Sequence, residues 1–115
     1  MFTIRKVRDI LHANVLCRED LLDGEVHSAC GSDLMSDVLA YVKDQSVLLT
    51  GLVNLQVVRT AEMMDMKCIV FVRGKFPDEA LLSCASDRDI VVLTTDYRMY
   101  GACGRLYAAG LACID

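Results

Sequence analysis

Apolar residues recur along this chain in two rhythms, one with the spacing of a helix face and one as short unbroken runs. Ile4, Val7, Ile10 and Leu11 share one face of a short helix that Thr3 can cap. Ala13 to Cys17 then reads as a short strand. Leu22-Asp23-Gly24 signals a turn, and Glu25 to Cys30 reads as a second strand. From there the alternation becomes regular. Ser32 or Asp33 starts a helix to about Lys43, with Leu34, Val38 and Val42 in register. Val47-Leu48-Leu49-Thr50 is a buried strand. Asn54 starts a helix to about Asp65, with Val57, Val58, Ala61 and Met64 inward. Cys68 to Val72 is the next strand. Pro77 and Asp78 open a helix to about Asp87, with Leu81, Cys84 and Ala85 inward. Ile90 to Leu93 is the last strand, and Asp96 caps a final helix to about Leu111.

Strands that alternate with helices make βαβ units, hence a parallel sheet with right-handed crossovers. The fold class expected is α/β: a three-layer α/β/α sandwich, mainly parallel or mixed, in one domain over residues 1–115. The strands at 47–50, 68–72 and 90–94 should be parallel and central, with the two earlier strands toward the sheet edge. The core should include Leu48, Val58, Ala61, Val70, Val92 and Leu106.

Composition narrows the picture. Apolar residues make up 54% of 115 residues, which suits strands covered on both faces. The formal net charge is −4, so a nucleic-acid partner, which needs a basic face, is not expected. Arg5, Lys6 and Arg8 form the one basic cluster and read as the solvated face of the first helix. The uncharged run Ser46 to Val58 is too short to span a membrane. The charged N-terminus gives no secretory leader, so a cytoplasmic location is expected. The six cysteines, Cys17, Cys30, Cys68, Cys84, Cys103 and Cys113, never form CxxC. They read as small buried hydrophobes in a reducing compartment, with no metal site and no cofactor.

Catalytic motifs are missing where they would be needed. A phosphate-binding loop requires G-x-x-x-x-G-K-[ST]. Around Gly74-Lys75, Ile69 stands in place of the first glycine and Phe76 in place of the Ser or Thr. No G-x-G-x-x-G occurs. His27 beside Ser28 and Cys30 is the nearest thing to a nucleophilic cluster, but adjacent strand positions face opposite ways. No catalytic residue is assigned, and the chain is not expected to be an enzyme.

Position is more informative. Three strands end in polar or glycine-containing loops: Thr50-Gly51 leading to Asn54, Arg73-Gly74-Lys75, and Thr94-Thr95-Asp96. In a parallel sheet these all lie at the carboxyl edge, where open α/β sheets bind ligands. They lead into helix N-termini that favour anions, and Arg73 and Lys75 add positive charge. These nine residues are the candidate ligand-binding set. The competing reading is that they are ordinary caps and turn residues.

The order of segments carries a resemblance over Asp23 to Leu111. Gly31-Ser32-Asp33-Leu34-Met35 is followed by Leu48-Leu49-Thr50-Gly51. Then come Ile69-Val70-Phe71-Val72-Arg73-Gly74-Lys75-Phe76-Pro77 and Val91-Val92-Leu93-Thr94-Thr95-Asp96. In this order the chain resembles the DRTGG domain family, of the stand-alone clostridial type. That domain shares its fold with the N-terminal domain of HPr kinase/phosphorylase and occurs beside nucleotide-sensing CBS domains in some pyrophosphatases. The family's Asp-Arg pair is replaced here by Val53-Asn54. Its Thr-Gly-Gly turn is replaced by Arg73-Gly74-Lys75, which retains Gly74 alone.

The resemblance implies a non-catalytic regulatory or sensory module that binds a small anionic ligand or nucleotide. The alternatives are a protein–protein interaction or structural module without ligand, and a small enzyme using Cys30 or His27. The last helix bears on partners. Gly101, Ala102, Gly104, Ala108, Ala109 and Gly110 are unusually small for a helix. They imply close backbone approach, either onto the protein's own sheet or across a homodimer interface to which Tyr97, Tyr100 and Tyr107 contribute. A homodimer is the expected assembly, with a further protein partner as the route of output.

Overall fold

The computed structural model describes residues 1–41 and 46–113. Helix α1 (Ile4–Leu11) leads to β1 (Asn14–Cys17), a 3-10 turn (Glu19–Leu21) and β2 (Ser28–Gly31). There follow α2 (Met35–Tyr41), β3 (Ser46–Thr50), α3 (Leu55–Met63), β4 (Cys68–Phe71), α4 (Glu79–Asp87), β5 (Val91–Thr94), α5 (Met99–Ala108) and β6 (Ala112–Cys113). The sheet order is β1-β5-β4-β3-β2-β6. Strands β2 to β5 and β6 run parallel, and β1 lies antiparallel on β5 at one edge. The expected three central parallel strands are present, and the sheet is mixed.

Alternation along the strands builds two cores. Val47, Leu49, Val70, Val91 and Leu93 face α1 and α5, where Ile4, Val7, Leu11, Ala102 and Leu106 meet them. Leu48, Ile69, Phe71 and Val92 face α2, α3 and α4, through Val38, Val57, Val58, Ala61, Leu81 and Ala85. Every residue of β3, β4 and β5 is buried, as expected for parallel strands covered on both faces. All six residues expected in the core are there. Among the described residues no helix is long and apolar enough to cross a membrane.

Helix ends explain how the chain re-enters the sheet. His12, Asp65, Asp89 and Gly110 take positive φ after α1, α3, α4 and α5. The next N–H in each case (Ala13, Met66, Ile90, Leu111) bonds back five residues, to Arg8, Ala61, Ala85 and Leu106. This is the Schellman closure, completed by an apolar residue beyond the left-handed one. Here that residue is buried each time. The start of α1 is satisfied differently: Thr3 Oγ1 accepts from Lys6 N, and Ile4 N and Arg5 N donate to the carbonyls of Gly24 and Leu22.

Several boundaries differ from expectation. The second strand begins at Ser28 rather than Glu25, because residues 22–26 are held against the start of α1, with Val26 N donating to Phe2 O. Helix α2 begins at Met35, not at Ser32 or Asp33. Ser32 Oγ makes a local turn with Leu34 N, and Asp33 reaches across to β3. Leu34 is consequently 57% exposed, and Met35 takes the buried place. The expected extension to Lys43, and Val42, lie outside the described residues. Cys84 and Met64 face the core as expected but are only partly buried against it. Asp96 does not cap α5, which starts at Met99 after Arg98. Residues 95 to 97 stay outside the helix because the Thr95 and Tyr97 carbonyls accept from the preceding βα loop. Strand β6 was not expected at all; it adds a short parallel edge beside β2.

Candidate functional site

All nine candidate residues lie at the carboxyl edge of the sheet, where β3, β4 and β5 end. The chain leaves β4 toward α4 on one face and leaves β5 toward α5 on the other. Diverging exits of this kind define the crevice in which open α/β sheets hold ligands. Here the two loops are bonded to each other across it. Arg73 N donates to Tyr97 O at 2.8 Å and Gly74 N to Thr95 O at 2.9 Å. Thr94 Oγ1 donates to Lys75 O at 2.8 Å. Two backbone N–H groups that could have faced a phosphate are thus engaged within the fold.

The threonines are engaged as well. Thr50, Thr94 and Thr95 are all buried. Thr50 Oγ1 donates to Asp33 Oδ1 at 3.1 Å and accepts from Leu52 N. Thr95 Oγ1 donates to Leu11 O at 2.7 Å and accepts from Tyr97 N, tying the β5 exit to the end of α1. Their hydroxyls shape the loops. Asp33 completes the brace by accepting from Gly51 N at 2.7 Å. Sequence reasoning placed Asp33 at a helix start; its only signal was its position just after a strand in the same edge.

The outward-facing members are Asn54, Arg73, Lys75 and Asp96, with Gly51 and Gly74 half-exposed. Arg73 adopts φ 62 and Gly74 φ 68, a left-handed pair that turns the loop back over the sheet edge. The Arg73 guanidinium lies directly on Gly51: a Cβ there would collide with Nη2 and sit 3.1 Å from Cζ. A side chain at 51 would require the exposed guanidinium to swing aside. Gly74 is similarly close to Asp96, whose Oδ1 would lie 3.2 Å from an added Cβ. Among the described residues neither Arg73 nor Lys75 forms an ion pair. Asn54 precedes α3 without capping it through its side chain; Val57 N donates to the Asn54 carbonyl at 3.2 Å.

Beside this cation pair, between the starts of α3 and α4, lies a cleft of about 410 Å³ lined by Val53, Asn54, Leu55, Phe76, Asp78 and Leu81. Phe76 is 67% exposed. Sequence reasoning did not select it, since an exposed phenylalanine in a loop reads no differently from a buried one.

The cysteine and histidine cluster does not assemble. His27 is exposed and lies 3.4 Å from Glu25. Ser28 is buried against Ser46 Oγ at 2.5 Å. Burial pushes the Cys30 thiol up, with the neighbouring Cys103 and Asp37 adding to the effect. This is the reverse of what an activated nucleophile needs. Among the described residues there is no group of three or more His, Cys, Asp or Glu that could hold a metal. Cys17, Cys30, Cys68, Cys84 and Cys103 are free thiols.

No family model matches the sequence, and no curated protein matches it. Among solved structures the chain is similar to the CBS and DRTGG domains of the regulatory region of Clostridium perfringens pyrophosphatase, in complex with its activator, diadenosine tetraphosphate. The TM-score is 0.66 at 14% identity, over 84% of this chain and 42% of that one. This chain therefore spans less than half the length of that structure. At such identity the likeness is one of fold. The chain carries an α/β fold shared with that regulatory region, consistent with the DRTGG-like domain that its segment order resembles.

Proposed function

We propose that the protein is a non-catalytic regulatory module that binds a small anionic ligand or nucleotide at the carboxyl edge of its sheet. One observation carries this reading: the Arg73 guanidinium is seated on Gly51, beside Lys75 and the uncapped start of α3, with no carboxylate partner among the described residues. A cation at this edge with no carboxylate partner among the described residues favours an anion. The pyrophosphatase region of similar fold has a nucleotide activator, which supports the same ligand class. Thr50, Thr94, Thr95 and Asp33 act here as the frame, and Arg73, Lys75, Gly51 and Asn54 as the contact surface. Asp96 and Gly74 set the loop.

A thermal-shift panel of ATP, diadenosine tetraphosphate, pyrophosphate and phosphorylated sugars tests this. Ligand at about a hundred times its Kd stabilises the native state by about 2.7 kcal/mol, a rise of several degrees in a domain of this size. The Arg73→Ala, Lys75→Ala double variant should fold and lose the shift. Equal melting of the wild type across the panel would overturn the reading, in favour of an interaction module without ligand.

Output passes through protein contacts, and the assembly is a homodimer built on α5. The face that supports this carries Tyr100 at 92% and Tyr107 at 68% exposure, flanking a largely apolar groove of about 350 Å³ that Cys103 and Gly104 help line. Ala102 packs on the protein's own sheet, but a Cβ at Gly104 would meet nothing within 4 Å. Tyr97 is set apart, half-buried under the Arg105 guanidinium. Light scattering at micromolar concentration should give a dimeric mass. Gly104→Leu should lower it and leave the fold intact; a strictly monomeric wild type would rule the dimer out. The module works in the cytoplasm, where its thiols stay reduced.

A further inference from the structure

We propose that the cleft between the starts of α3 and α4 is a nucleobase site, so that the ligand is a nucleotide with its base on Phe76 and its phosphates toward Arg73 and Lys75. This rests on the anion-binding reading of the carboxyl edge and adds the identity of the uncharged part of the ligand.

The first argument is the placement of Phe76. Its ring is 67% exposed, yet its backbone is held on both sides. Lys75 O accepts from Thr94 Oγ1. Pro77 is buried, and Asp78 caps α4 by accepting from Leu81 N at 3.0 Å. An aromatic ring presented to solvent from an anchored loop is a preformed stacking platform, and ring stacking accepts any base.

The second argument is the chemistry of the walls. Val53, Leu55 and Leu81 supply apolar surface, and the Asn54 side chain makes no capping bond. An amide offers a donor and an acceptor to a base edge. The Asp78 carboxylate also lines the cleft. It would repel a phosphate there, while accepting from an amino or hydroxyl group. The anionic end of a ligand is thus directed out of the cleft, toward Lys75, which precedes Phe76 in the chain, and Arg73, two residues before that. A volume of about 410 Å³ falls in the range of small-molecule sites, about 300–1,000 Å³.

Equilibrium titration with ATP, GTP, adenosine, guanosine and inorganic tripolyphosphate tests the proposal on the wild type, Phe76→Ala and Arg73→Ala. Phe76→Ala should fold normally, because the ring is exposed, and circular dichroism checks this. It should weaken the preferred nucleotide about tenfold or more and leave tripolyphosphate unchanged. Arg73→Ala should weaken both. If tripolyphosphate binds the wild type as tightly as either nucleotide, or Phe76→Ala binds nucleotide unaltered, the base site is wrong while the anion site stands. If tripolyphosphate and nucleotides both fail to bind, and the nucleosides fail too, both readings fall. Nucleoside binding that depends on Phe76, with no gain from phosphate, would keep the cleft and remove the anion site.

Discussion

Phe71→Ala should destabilise the protein by about 3–5 kcal/mol, the usual cost of truncating a fully buried phenylalanine. Phe71 ends β4, in the middle of the sheet, in register with Thr50 on β3 and Thr94 on β5. Its side chain is fully buried among the residues that join the sheet to α2, α3 and α4. A chain of this length has a total stability of about 6–17 kcal/mol, so one substitution removes a large share. The loss also falls directly beneath the candidate site. Phe71 O accepts from Thr95 N at 3.0 Å, and Arg73 follows two residues later. Urea unfolding should show a lower midpoint with little change in slope. Phe76→Ala, five residues on but exposed, should shift the midpoint by no more than about 0.5 kcal/mol. Similar losses in the two variants would show that the burial of Phe71 is not what holds this part of the sheet.

That contrast marks what sequence reading can and cannot reach. Val47 to Thr50, Cys68 to Phe71 and Val91 to Thr94 are legible because a parallel strand covered on both sides must be apolar throughout. The inward faces of α1, α3 and α4 follow from spacing alone. Helix ends are less legible. His12, Asp65 and Asp89 take a left-handed turn without glycine, and what stabilises them is the burial of the following apolar residue. Strand β6 is only Ala112–Cys113; it is defined by its pairing with β2, not by its own pattern. At the site, topology alone brings the three loops to one edge. Which groups remain free is decided by contacts between distant segments: Thr95 with Leu11, Asp33 with Gly51, and Thr94 with Lys75. No local pattern records those contacts. Val53-Asn54 and Arg73-Gly74-Lys75, where the sequence departs from the DRTGG pattern it resembles, leave the sheet intact because they fall in the loops after β3 and β4.

Stability should fall as the pH rises above the ordinary thiol range, with Cys68 as a main cause. Cys68 is fully buried between β3 and β5, and burial pushes its thiol far up; the neighbouring Cys17 adds to the effect. In the unfolded chain a thiol ionises near pH 8.5. Below that, both states hold the proton and the stability is fully present. Above it, the unfolded chain releases a proton that the folded chain retains, so rising pH favours unfolding. The slope for one such thiol is on the order of 1 kcal/mol per pH unit, until the folded thiol itself ionises. Burial raises the half-buried Cys17, Cys30 and Cys103 in the same direction, so the whole protein should show a steeper fall than one group gives. Cys68→Ala isolates the single contribution. It lowers stability at pH 7.5 through lost packing, so only the change with pH is compared. Urea midpoints at pH 7.5 and pH 9.5 should drop further in the wild type than in Cys68→Ala, by on the order of 1 kcal/mol in free energy. Parallel drops in the two proteins would mean that the folded state admits the thiolate at β4, and that the centre of the sheet is more open to water than the packing around Cys68 requires.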